Sequence, residues 1–169
     1  KPIGEGIGPV LEMKDVISVL KNKGPKDLEK KSLVLASELM SLCGIKNSRY
    51  LSKRLLESGK AYEKFEQIIN TQNGKKDFDK RISSLKVARF KKTILASKTG
   101  KISFADNKKI NMVARIAGTP EKISAGLTLH KKSGQIKKGE KLITVYSESK
   151  QKLNEAVKYF NKEKAILIK

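Results

Sequence analysis

Tryptophan is missing from this chain, and histidine and cysteine occur once each, as His130 and Cys43. A lone cysteine cannot close an internal disulfide, and one histidine with one cysteine cannot supply the three or four ligands of a zinc-type site, so no metal centre is expected. Cys43 sits in an apolar helical pattern and is expected to be a small buried hydrophobe. Any histidine-based mechanism would have to use His130. Its neighbours Leu129 and Lys131 put it on a strand entering a turn with no Asp or Cys nearby in sequence, which fits a structural or exposed role better than a catalytic one. No run of 18 apolar residues exists, so no membrane-spanning helix is expected. A secretory leader pattern is absent too, and the expected compartment is the cytoplasm. The chain opens without an initiator methionine, at Lys1-Pro2, as if in mid-structure.

Acidic residues are scarce. Seventeen Asp and Glu face 38 Lys and Arg, leaving a formal charge of +21 over 169 residues. One reading is a nucleic-acid-binding module steered by phosphate charge. The other is a lysine-rich background, of the kind thermophilic proteins carry, decorating solvated faces. The lysines are spread along the whole chain, and five Phe and four Tyr offer few rings for base stacking. That distribution favours solvated faces, and no nucleic-acid partner is expected. A basic surface also suits small phosphate esters.

The first half reads as helices. Gly8-Pro9 opens one, with proline at the first helical position, where its missing N–H costs nothing, and Val10, Met13, Ile17 and Leu20 on one face. Gly24 stops it and Pro25 starts a second, expected to bury Leu28, Leu35, Leu39 and Leu42 before Gly44. Asn47 or Ser48 caps a third carrying Leu51, Leu55 and Leu56, which ends at Gly59. A fourth runs from about Ala61 to Thr71, with Phe65, Ile68 and Ile69 inside, and closes at Asn73-Gly74. Beyond about residue 84 the pattern turns β-branched and alternating. Strands are expected at Phe90 to Leu95, around Ile102 and Phe104, around Leu127 to Leu129, at Leu142 to Tyr146 and at Ala165 to Ile168. Helices are expected at Lys108 to Ala117, capped by Asp106, and around Leu153 to Phe160.

Two segments carry chemistry on spacing alone. Gly4-x-Gly6-x-Gly8 running into a helix can aim backbone N–H groups at an anion, although its spacing is neither that of a P-loop nor the dinucleotide fingerprint, and a plain tight turn fits slightly better. Lys131 through Leu142, with glycine turns at Gly134 and Gly139, has the rhythm of a lipoyl- or biotinyl-type barrel. No lysine flanked by Met or Asp stands at an exposed hairpin tip, and Met13-Lys14 falls in a helix. The barrel is therefore taken as architecture without a prosthetic group.

Lys1-Pro2-Ile3-Gly4-Glu5-Gly6-Ile7-Gly8-Pro9-Val10-Leu11-Glu12, followed by Gly24-Pro25-Lys26-Asp27-Leu28, resembles a signature of the thymidine phosphorylase family of nucleoside phosphorylases. So do Gly59 to Phe65, Val113-Ala114-Arg115-Ile116-Ala117-Gly118, Ala125 through Lys132, and Lys138-Gly139 through Ser149. The Ile-Gly-Pro version of the loop leans toward the archaeal branch and resembles AMP phosphorylase. The resemblance spans essentially the whole chain and implies the C-terminal part of a larger enzyme. The implied fold is α+β. Residues 1–84 would be a helical portion of a larger catalytic α/β domain, and residues 85–169 a C-terminal α+β domain with a barrel-sandwich-like β element.

The resemblance implies phosphorolysis of AMP, or of another nucleotide, to free base and ribose 1,5-bisphosphate. The alternatives are thymidine or pyrimidine nucleoside phosphorolysis. Orthophosphate would be co-substrate, no cofactor would be needed, and the full-length enzyme would be a homo-oligomer. No catalytic residue falls within the chain, because the family's proton-donor Asp would lie about two residues before Lys1. Two positions carry over as substrate-binding. Gly6 stands where AMP phosphorylases often have a nucleotide-contacting serine, and Lys30 matches a lysine ascribed to the nucleotide phosphate. Taken alone, the chain is expected to be inactive.

Overall fold

Ser147 and Asp106 mark where strand gives way to helix in the β-rich part of the molecule. The Asp106 carboxylate accepts hydrogen bonds from the backbone N–H groups of Lys108 and Lys109 at 2.9 and 3.2 Å, starting helix α6 (Asn107–Ala117). Such a cap is worth about 1 kcal/mol. The buried Ser147 hydroxyl donates to Ala117 O at 2.7 Å, tying the end of a strand to the end of that helix. The computed structural model describes residues 2–74 and 77–169. They form two units: the described residues up to Met13 together with Lys86–Lys169, and Lys14–Leu85.

The first unit holds two antiparallel sheets and two helices. One sheet has the order β1 (Gly6–Ile7), β4 (Gly126–Leu129), β6 (Lys141–Ser147), β2 (Phe90–Leu95); the other runs β5 (Gly134–Ile136), β3 (Gly100–Ala105), β7 (Ile166–Ile168). Four successive residues of β6, Leu142 to Val145, are buried, so this central strand is covered on both faces and does not alternate. At the edge, β2 keeps exposed Lys91 and Lys92, and its register against β6 shifts between Ile94 and Leu95; both features discourage pairing with a foreign strand. Leu127, Leu129, Ile143 and Val145 form one core with Ile110 and Val113 of α6 and with Leu153 and Phe160 of α7 (Lys150–Glu163). Small residues at Ala114, Ala117 and Ala156 are buried between them.

The second unit is helical. Helix α1 (Pro9–Leu20) begins before the boundary at Met13 and ends beyond it, followed by α2 (Lys26–Leu42), α3 (Ser48–Glu57), α4 (Lys60–Asn73) and α5 (Phe78–Ser83). Buried serines lie on α2 and α3, which pack on each other: Ser37 Oγ donates to Val34 O and Ser52 Oγ to Arg49 O within their own helices, so neither hydroxyl is stranded. Phe78 is 2% exposed and meets Tyr62 and Phe65 edge-to-face, with ring centroids 5.6 and 5.7 Å away. No helix among the described residues is long and apolar enough to cross a membrane.

The fold is the α+β class expected from the sequence, and three local expectations need correction. Leu35, Leu39 and Leu42 are not buried; they are 51%, 65% and 85% exposed. Ile68 of α4 is exposed as well. Helical spacing identifies which face is apolar, but not whether anything covers it. Cys43 is exposed too, because it follows Leu42 at the C-terminal cap of α2, just past the last helical turn. Three elements were not read from the sequence, among them β5, three residues that begin at the Gly134 turn. Helix α5 is only six residues long, and β1 is two residues inside a glycine run.

Candidate functional site: the glycine loop and its surroundings

The loop at Gly4 to Gly8 is set in place by strand pairing and by one lysine. Gly6 pairs with Thr128 and Ile7 with Leu127, and Leu129 N–H donates to Glu5 O at 2.7 Å. Lys132 reaches across with its ammonium to Gly4 O at 2.6 Å, a contact spanning 128 positions of sequence. Glycine is demanded here by crowding. A Cβ on Gly6 would lie 2.6 Å from the backbone carbon and oxygen of Leu11, and one on Gly8 would lie 2.4 Å from Ala125 O. Across the pairing, a Cβ on Gly126, whose φ is +149°, would come 2.1 Å from Ile7 O.

Two donors at the start of α1 already have acceptors in the protein. Gly8 N–H donates to Glu12 Oε1 at 3.0 Å, and Glu12 N–H makes the first intrahelical bond back to Gly8 O at 2.8 Å. Val10 N–H donates to Ile123 O at 3.1 Å. The Glu12 carboxylate thus occupies the place at the positive helix end that an external anion would take. The geometry of Gly8 and Val10 is that of a tight turn, not of an open anion cradle. Beside it lies a cleft of about 490 Å³ walled by Gly8, Pro9 and Glu12 and by Lys108, Asn111 and Arg115 of α6.

Gly6 is buried and offers backbone only, since Leu11 fills the space a side chain would need. Lys30 is exposed on α2. The two substrate-binding candidates lie in different units, Gly6 in the first and Lys30 in the second. Residues missed from sequence do most of the positioning: Leu11, Glu12, Gly126 and Lys132. Gly126 and Lys132 lie far from the loop in sequence, and only the antiparallel pairing of β1 with β4 brings them to it.

His130 is exposed, with Nε2 2.8 Å from Thr144 Oγ1, which in turn lies 2.9 Å from Thr93 Oγ1. Partial burial, then the charge of Lys141, lower its pKa from the ordinary 6.5, against a weaker opposing pull from Glu5. The ring is held at Nε2 by the Thr144 hydroxyl, a partner unlike the carboxylate that orients a catalytic histidine base. The unfolded chain binds this proton more readily than the folded one. His130 therefore withdraws stability as the pH falls from its unfolded pKa through its lowered folded pKa. An NMR titration of the single histidine should give a midpoint below 6.5, and His130→Gln should flatten the pH dependence of stability over that window. Nearby, Lys131 pairs with Glu140 at 3.1 Å, and that hydrogen bond, with one from the Lys137 backbone, lowers the Glu140 carboxyl pKa.

Residues 101–167, from β3 through β7, match the family described as pyrimidine nucleoside phosphorylase C-terminal domain. The chain is 38% identical to the "Putative thymidine phosphorylase" of Legionella pneumophila (strain Corby), over 99% of this chain and 32% of the relative. It is 36% identical to AMP phosphorylase 2 of Archaeoglobus fulgidus, over 99% of this chain and 33% of that protein. The AMP phosphorylase of Hyperthermus butylicus matches at 37%, over 99% and 34%. The chain therefore spans about a third of the length of these curated relatives, and bacterial and archaeal proteins match it about equally well.

Proposed function

This chain belongs to the pyrimidine nucleoside phosphorylase family, whose C-terminal domain is matched by residues 101–167, and from that premise we propose that it is part of an enzyme phosphorolysing AMP to adenine and ribose 1,5-bisphosphate. The supporting observation is that 99% of the chain, a span that takes in the glycine loop and position 30, aligns with archaeal AMP phosphorylases at 36% and 37% identity. Phosphorolysis holds orthophosphate against C1′ of the ribose while the base departs through an oxocarbenium-like transition state. Positioning and fixed donors therefore supply most of the rate. The departing base takes a proton or hydrogen bonds from a general acid, which this reading assigns to the remainder of the enzyme.

Within that scheme the loop at Gly4 to Gly8 is a wall of the nucleotide pocket. Its rigidity comes from β4, Lys132 and Glu12, and Gly6 contributes backbone without a hydroxyl. Lys30 acts as a point charge for the 5′-phosphate. The enzyme works in the cytoplasm as a homo-oligomer, with orthophosphate as co-substrate and no cofactor. A second reading, thymidine or another pyrimidine nucleoside as substrate, is favoured by the name of the Legionella relative and its 38% identity, against 36% and 37% for the AMP phosphorylases above.

The test uses a hybrid in which this chain replaces the aligned segment of Archaeoglobus AMP phosphorylase 2. Loss of a charge-assisted hydrogen bond costs about 1.5–3 kcal/mol, so Lys30→Ala should raise KM for AMP at least about ten-fold. KM for adenosine, which lacks the 5′-phosphate, should stay unchanged. Equal effects on both substrates would remove Lys30 from the phosphate site, and a preference for thymidine over AMP would favour the second reading.

A further inference from the structure

In the helical unit, α2 and α4 together contribute a single buried residue, Ser37. The buried hydrophobics of Lys14–Leu85 are Ile17, Val19, Leu56 and Phe78, a thin core for a unit of this size. Meanwhile Val34, Leu35, Leu39 and Leu42 face solvent, and so does Ile68 on α4. A cleft of about 840 Å³ opens among α1, α2, α3 and α4, and its lining is predominantly apolar, with Leu20, Leu28, Leu33, Met40 and Leu55 contributing. Around α2, Leu28 is shared by the two features: it lines the cleft and falls on the same helical face as Leu35 and Leu39. The apolar surface is therefore continuous from the cleft onto the outer face. An uncovered apolar surface of this kind marks an interface.

We propose that this cleft and the adjoining Leu35–Leu39–Leu42 face are the docking surface for the other two thirds of a phosphorylase polypeptide, whose apolar side chains fill it. This rests on the family reading above. Two observations choose the occupant. Relatives that align with 99% of this chain are about three times as long, so each carries a large body of polypeptide beyond the aligned part. A second copy of this chain, in contrast, would bring two charges of +21 together, an association opposed by like-charge repulsion. The occupant is thus a phosphorylase body and not this chain again.

Hydrogen exchange on the isolated 169-residue chain and on the hybrid tests this. In the hybrid, amides of α2 and α4 should exchange at least about ten-fold more slowly than in the isolated chain. Leu35→Asp with Leu39→Asp should lower the melting temperature of the hybrid by more than about 5 °C while leaving the isolated chain monomeric and its melting unchanged. The milder Leu39→Ala should lower the hybrid's melting temperature by a smaller amount. Unchanged exchange, a hybrid that does not fold cooperatively, or a charged pair without effect would overturn the proposal. So would an isolated chain that dimerises and is dissociated by Leu39→Asp, which would make a second copy the occupant. A hybrid that protects α2 and responds to the charged pair yet releases no adenine from AMP would leave the docking surface standing and remove the catalytic reading.

Discussion

Gly126→Ala is expected to destabilise the β-rich unit by more than about 3 kcal/mol, a loss well above that of an ordinary point substitution. Two penalties combine at this position. The backbone φ of +149° lies where side-chain-bearing residues are strained. The added carbon would also sit 2.1 Å from Ile7 O and 2.9 Å from Leu11 Cδ1, and the nearer of these is main chain that cannot rotate away. Relief requires β1 to part from β4, so the glycine loop should loosen as stability falls. Urea unfolding should show a lower midpoint with an unchanged slope, and the amides of Leu127 and Leu129 should lose exchange protection. A midpoint within experimental error of the parent would mean the two strands are not in this contact.

Phe78→Ala carries the second large effect, about 3–5 kcal/mol against the helical unit. Phe78 is the most fully buried large side chain there, and its ring contacts with Tyr62 and Phe65 join α5 to α4. Because few other hydrophobics in that unit are buried, no large core surrounds the site to dilute the loss. Exchange protection in α4 should collapse while that of α6 and α7 persists. A uniform, small change throughout the chain would contradict the two-unit description.

The sequence was most readable where local chemistry and burial agree. Asp106 announced α6 and does cap it, and Pro9 begins α1 as its position after Gly8 required. Phe90 to Leu95 forms β2 over the range its alternation marked. Reading failed where the outcome depends on what lies across a face. Leu35, Leu39 and Leu42 of α2 have the spacing of a core and are exposed, and Cys43 shares that fate. The candidate site divided in the same way. Gly-x-Gly-x-Gly before a helix could be read as an anion cradle or a turn. The choice turns on Glu12 folding back onto Gly8 N–H and on Ile123 O accepting from Val10. Neither contact has a sequence signature at this loop. The crowding that forces glycine at position 6 comes from Leu11, five residues on and already in the helix.

A loop so fully engaged by its own protein fits a supporting wall better than the reacting centre. On the function proposed above, this chain contributes such a wall to a nucleotide phosphorylase. The most direct test is phosphate-dependent release of adenine from AMP, measured side by side for the isolated chain and for the hybrid. The chain alone should release none, and the hybrid should turn over with a requirement for orthophosphate and with ribose 1,5-bisphosphate as product. Adenine release by the 169 residues alone, or none from a hybrid that folds, would contradict that function.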